Sequence, residues 1–139
     1  MPVMHEAGCC PPSAQRFLAF DFGLRRTGVA SGNRLTGTAT PQQTIHAAGK
    51  ARWTPIAQAI AEWQPDALVV GIPFHPDGAP HENTGRALRF ARQLRARAGL
   101  PVYEVDERYS TTRALAAGAR DADAAAAAII LEQFLGDLA

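Results

Sequence analysis

An α/β fold with a mixed five-stranded sheet, in the order βββαβαβα, follows from three observations. Residues 16–45 read as three short strands separated by turns, residues 67–72 form a continuous apolar run, and three later segments carry helical periodicity. Three strands before any helix predict an antiparallel meander, and an apolar run between helices predicts a central strand covered on both faces. The helices are therefore expected on both faces of the sheet.

Residues 16–22 alternate and are rich in aromatics, as a strand requires; 23–26 make a tight turn and 27–31 return as a second strand. After the Gly32-Asn33 turn region, 38–45 supply a third strand enriched in Thr and Ile. Thr54-Pro55 fits a helix start, with Thr as the cap and Pro at the first helical position. Ile56, Ala59, Ile60 and Trp63 recur at helical spacing, and Pro65 stops the element. Pro73 ends the central strand, and 74–80, with Asp77-Gly78, form a loop. Asn83 or Thr84 caps a helix that closes at Gly99 and buries Leu88, Ala91, Leu94 and Ala98. A short strand over 102–105 follows, Ser110 caps a turn of helix, and the last helix spans 123–138 with Ile130, Leu131, Phe134 and Leu138 inward.

At 139 residues the chain fits one domain, 16–139, preceded by a flexible tail, 1–15. The balance of 47% hydrophobic and 19% charged residues excludes a disordered chain. No apolar run approaches the roughly 20 residues that span a bilayer. The tail has no basic segment followed by an apolar one, so it does not read as a signal peptide. Cys9 and Cys10 are adjacent and cannot form a disulfide framework, which makes a reducing cytoplasm the expected setting. A net charge of +1 neither supports nor excludes a nucleic-acid partner. The distribution says more: Arg86, Arg89, Arg92, Arg95 and Arg97 crowd one helix, as either a solvated face or a basic stripe.

Three separated acids carry the chemistry. Asp21 ends the first strand, Glu107 follows the fifth, and Asp123 opens the last helix. Carboxylates from different elements suit hard divalent cations, and two Mg²⁺ or Mn²⁺ ions about 4 Å apart promote phosphodiester hydrolysis. Each acid has a plainer role available: a turn residue, a surface ion pair, or a helix cap, with Asp121 a rival for either duty of Asp123. Asp106 is expected to point away from Glu107 and to be structural. Arg25, Arg26 and Arg108 stand beside the acids, either to grip a substrate phosphate or to balance charge. The four histidines have no ligand-like grouping, and Ser110-Thr111 lacks a histidine base. Asp21-Phe22-Gly23 with Gly28 also suggests a phosphate-binding hairpin of the actin and sugar-kinase type, but the chain is too short for the second domain such a cleft needs.

Four blocks in order resemble the YqgF/RuvX family, Holliday junction resolvase-like proteins also described as pre-16S rRNA nucleases. They are DxGxxRxGVA at 21–30, VVGxP at 69–73 with Asp77-Gly78, DERxST at 106–111 and D-x-A-x-A-x-IIL at 123–131, and with their surroundings they span 18–135. The resemblance implies an RNase H-like fold, a metal-dependent endonuclease that trims the 5′ end of pre-16S rRNA in ribosome biogenesis, and a cytoplasmic setting. It assigns catalysis and metal binding to Asp21, Glu107 and Asp123, demoting Asp121. Two alternatives remain: a resolvase acting on DNA junctions, expected to be a symmetric homodimer rather than a monomer, or a weakly catalytic RNA-binding assembly protein. Family members carry a longer, Lys- and Arg-rich connection before the last acid, where this chain has only 109–122 with Arg113 and Arg120. Nucleic-acid affinity is therefore expected to be weaker, or to shift to 86–97.

Overall fold

The computed structural model describes residues 10–108 and 115–138. Its elements are β1 (Arg16–Phe22), β2 (Thr27–Asn33), β3 (Ala39–Ile45), a 3-10 turn (Gly49–Arg52), α1 (Trp53–Trp63), β4 (Ala67–Phe74), α2 (Thr84–Ala98), β5 (Val102–Arg108) and α3 (Ala122–Leu138). The sheet order is β3-β2-β1-β4-β5. β1, β2 and β3 form the expected antiparallel meander, whereas β4 pairs parallel to β1 and β5 parallel to β4. Parallel pairing needs a crossover, and α1 and α2 provide the two.

Strand alternation divides the core. Leu18, Phe20, Leu68, Val70 and Ile72 face α1 and α2, where Ile56, Phe90 and Leu94 cover them. Phe17, Ala19, Val69, Tyr103 and Val105 face the other way and are covered by Ile130, Leu131 and Phe134 of α3. The alanine run of α3 has a specific use. Ala127 and Ala128 pack on Ala30, and a Cβ added at Gly32 would lie 2.9 Å from Leu131 Cδ2. Small residues on both partners bring the helix close to β2.

Several boundaries differ from expectation. α1 starts at Trp53, with Arg52 at the cap position and no side-chain cap, so Thr54 does not cap it. The 3-10 turn just before it has already brought the chain into helical conformation. Asn83 occupies the cap position of α2 without a side-chain bond, while Thr84 Oγ1 donates to Pro73 O and ties the helix start to β4. Gly99, at φ +68°, closes α2 as expected. Of the supposed tail, residues 10–15 lie against the sheet: Cys10 and Ala14 are buried, and Arg34 approaches Cys10 Sγ at 3.2 Å. Most consequentially, β5 continues to Arg108, so Glu107 is part of the strand rather than just past it.

Candidate active site

The C-terminal end of β1 is where the acids gather. Asp21 pairs with Gly28 on β2 and with Gly71 on β4, which places all three on one face of the sheet. Gly71 pairs in turn with Val105, and Glu107, two residues on, shares that face. It is the face that α3 covers, and the first turn of α3 contains Asp123. Asp21 is 5% exposed and Glu107 1%, while the Asp123 side chain is 15% exposed. Asp106 pairs with Ile72 and lies on the opposite face.

The glycines beside Asp21 make this approach possible. A Cβ at Gly28 would lie 2.0 Å from the Asp123 carbonyl oxygen, and one at Gly71 2.9 Å from Glu107 Oε2. Neither glycine has positive φ; each is required by the space its neighbours occupy. Their lack of a side chain admits the backbone of α3 on one side of Asp21 and the Glu107 carboxylate on the other.

Asp121 takes the capping duty that was open between the two acids. Its Oδ1 accepts the Ala124 N–H at 3.3 Å and the Thr44 hydroxyl, which fastens the helix start to β3. Asp123 is thereby released from capping and pairs with Arg26, Nε to Oδ2 at 3.0 Å. Arg26 is itself 58% exposed, so its guanidinium reaches the acid from the solvent side. Arg25 stands exposed in the turn. The side chain of Arg108, and the Ser110-Thr111 pair, lie outside the described residues. A cleft of about 680 Å³ opens beside Asp123 between α3 and β3, lined also by Arg26, Gln42, Thr44, His46 and Arg120.

Sequence reasoning missed Arg52. It is 4% exposed, and its guanidinium donates to Gly23 O at 2.8 Å, Leu24 O at 2.7 Å, Thr27 Oγ1 at 3.1 Å and Gly49 O at 3.2 Å. These bonds fix the turn at 23–26 that joins Asp21 to Arg26. Burial lowers the pKa of this guanidinium. No pattern in the chain marks it, because most of its acceptors are backbone carbonyls.

Among the described residues, no three His, Cys, Asp or Glu side chains are grouped closely enough to hold a metal ion. The donor set nonetheless fits a hard divalent cation: carboxylate oxygens from β1, β5 and α3, at one strand end.

The chain matches, over residues 15–137, the family described as RuvX: Holliday junction resolvase. It belongs to the RuvX family. A relative from Polaromonas sp. (strain JS666 / ATCC BAA-500) is 75% identical over 124 residues, covering 89% of this chain and 90% of its own. One from Albidiferax ferrireducens is 72% identical over 121 residues, covering 87% and 78%. Both bear the name "Putative pre-16S rRNA nuclease". Among solved structures, Thermus thermophilus RuvC in complex with Holliday junction substrate is 19% identical with a TM-score of 0.54, over 88% of this chain and 94% of that one. That likeness establishes the fold of this RuvX protein as RNase H-like. Among the described residues, no helix is long and apolar enough to cross a membrane.

Proposed function

We propose that this RuvX protein is a metal-dependent endonuclease that hydrolyses phosphodiester bonds in structured RNA, with the 5′ leader of pre-16S rRNA as its substrate in the cytoplasm. One observation carries the reading. Two buried carboxylates, Asp21 and Glu107, share a sheet face at the strand end over which α3 brings Asp123. Carboxylates supplied by separate elements to one strand end are the oxygen donors that a hard divalent cation takes. The names of the relatives supply the substrate class.

Asp21, Glu107 and Asp123 would hold Mg²⁺ or Mn²⁺. A bound divalent ion would supply charge neutralisation at the scissile phosphate and a more acidic water. Arg26 has a distinct role. Its exposed guanidinium can exchange Asp123 for a substrate phosphate through a bidentate contact, which frees the carboxylate as the strand binds. Arg25 and Arg108, in and near the same strand ends, would add to the grip on the backbone.

The test is cleavage of a pre-16S rRNA 5′-leader fragment in Mn²⁺, Mg²⁺ or EDTA, with a four-way DNA junction alongside. Asp21→Asn should lower metal-dependent RNA cleavage by at least about 10²-fold, since loss even of a partner that orients a metal ligand costs about 10–100-fold. Unchanged cleavage in that variant would remove Asp21 from the site. Cuts confined to the junction would move the substrate to DNA.

A further inference from the structure

On the sheet face opposite the acids, a second concavity of about 360 Å³ lies against α2 and the 3-10 turn. Phe22, Trp53 and Phe90 contribute aromatic surface to it, and Lys50, Arg86, Arg89 and Arg97 join Arg52 around it. No carboxylate lines it. Trp53 stacks on Phe90 with centroids 5.3 Å apart at 16°, and the Arg97 guanidinium lies 4.5 Å above the Trp53 ring. Arg52 is committed to the turn at 23–26. The other four cations have no ion-pair partner among the described residues.

Helical spacing alone does not produce this cluster. Lys50 comes from a different element, and Arg92, in the middle of the arginine series on α2, does not line the concavity. α2 itself carries five of the chain's 14 Lys and Arg residues and no acid. Like charges gathered over an apolar surface repel unless an anion joins them, and the low-dielectric surface strengthens their hold on one. The position is also telling. Phe22 precedes, and Leu24 lies within, the turn whose far end presents Arg26 to Asp123.

We propose that this pocket binds backbone phosphates of the RNA strand on one side of the scissile bond. Lys50 and Arg89 grip from the two walls, and Arg97 offers a planar guanidinium to an unstacked base. The inference rests on the nuclease reading for the identity of the strand, but it is measured without cleavage.

The experiment is fluorescence anisotropy of a short labelled single-stranded RNA with the full chain in EDTA, across a KCl series. The variants are Lys50→Ala/Arg89→Ala, the charge-keeping Lys50→Arg/Arg89→Lys, and Arg92→Ala, with thermal melts as the folding control. The double alanine variant should lose at least about tenfold in affinity. Its salt slope should fall by about 1.4, as for two phosphate contacts on a single strand. The charge-keeping pair should recover most of the affinity, and Arg92→Ala should match wild type. Wild-type affinity in the double alanine variant, or an equal loss in Arg92→Ala, overturns the pocket. Competition by inorganic phosphate as effective as that by unlabelled RNA would also overturn it, by making this a small-anion site. If Asp21→Asn still cuts RNA, the nuclease site is wrong while the pocket stands; if only the pocket variants behave as wild type, the reverse holds.

Discussion

Asp21 and Phe22 are neighbours in the chain and occupy opposite environments. Asp21 is buried on the α3 face beside Gly28 and Gly71, with Glu107 nearby. Phe22 turns to the α2 face, where Arg52 lies 4.5 Å over its ring and a ring of cations surrounds the pocket. One face concentrates carboxylates under a helix pressed close to the sheet; the other concentrates cations over aromatic rings in an open concavity. The period-two alternation of a strand is enough to separate them. On the proposed reading the acid face would serve the reaction and the basic face the charged backbone, the two set back to back at a single strand end.

The sharpest way to break this comparison is to disable the acid face alone. Gly28→Ala places a methyl group where the Asp123 carbonyl now lies, 2.0 Å from the new Cβ. Neither partner is a flexible side chain, so the start of α3 must move. Overpacking of this kind costs about 3 kcal/mol or more. The melting temperature should fall by several degrees and metal-dependent cleavage should drop, while RNA binding in EDTA through the α2 face persists. Wild-type melting and cleavage would show that α3 does not hold Asp123 where the fold places it.

Much of this was legible in the sequence, and the reason differs by residue. The strands and helices announced themselves through periodicity and through Gly99 and Pro65, which act locally. Asp21 and Asp123 stood out because each borders an apolar pattern, Asp21 after 17–20 and Asp123 before the alanine run, whereas Glu107 was expected just past its strand and lies within it. What stayed hidden depends on tertiary approach. Gly28 and Gly71 read as motif letters, and only the packing of α3 and Glu107 reveals what their missing Cβ atoms admit. The basic stripe on α2 was visible, but its convergence with Lys50 was not, since that needs the 3-10 turn folded against the helix. Thr54 carried the right chemistry for a cap and lost the position to the turn before it.

Arg52 links the two faces, so its removal blurs the comparison rather than breaking one side. Lysine in its place has no planar fork and cannot reach Gly23 O, Leu24 O and Gly49 O together. Part-buried carbonyls of the turn then lose donors. Arg52→Lys should lose about 1–3 kcal/mol by urea denaturation. It should weaken cleavage and RNA binding alike, because the turn at 23–26 borders both sites. A loss confined to one activity would mean that the turn keeps its shape without this anchor.

The smallest expected effect lies at the other end of β1 and serves as the reference for the rest. Asp66 Oδ2 accepts the N–H groups of Gln15 at 2.8 Å and Arg16 at 2.9 Å, and these backbone bonds, Arg16 first, hold its pKa below the usual carboxylate value. A depressed folded-state pKa means the stabilisation is present above the unfolded value, about 3.9, and is lost as the pH falls through the folded one. Asp66→Asn should therefore melt slightly below wild type at neutral pH, and the two curves should converge as acid protonates Asp66 in the wild type. Because the residue is far from the strand end that carries Asp21 and Phe22, cleavage and RNA binding should not change with it. A pH-independent gap would assign the loss to geometry rather than charge. A fall in activity would show that the entry of the chain into β1 is coupled to both faces at its far end.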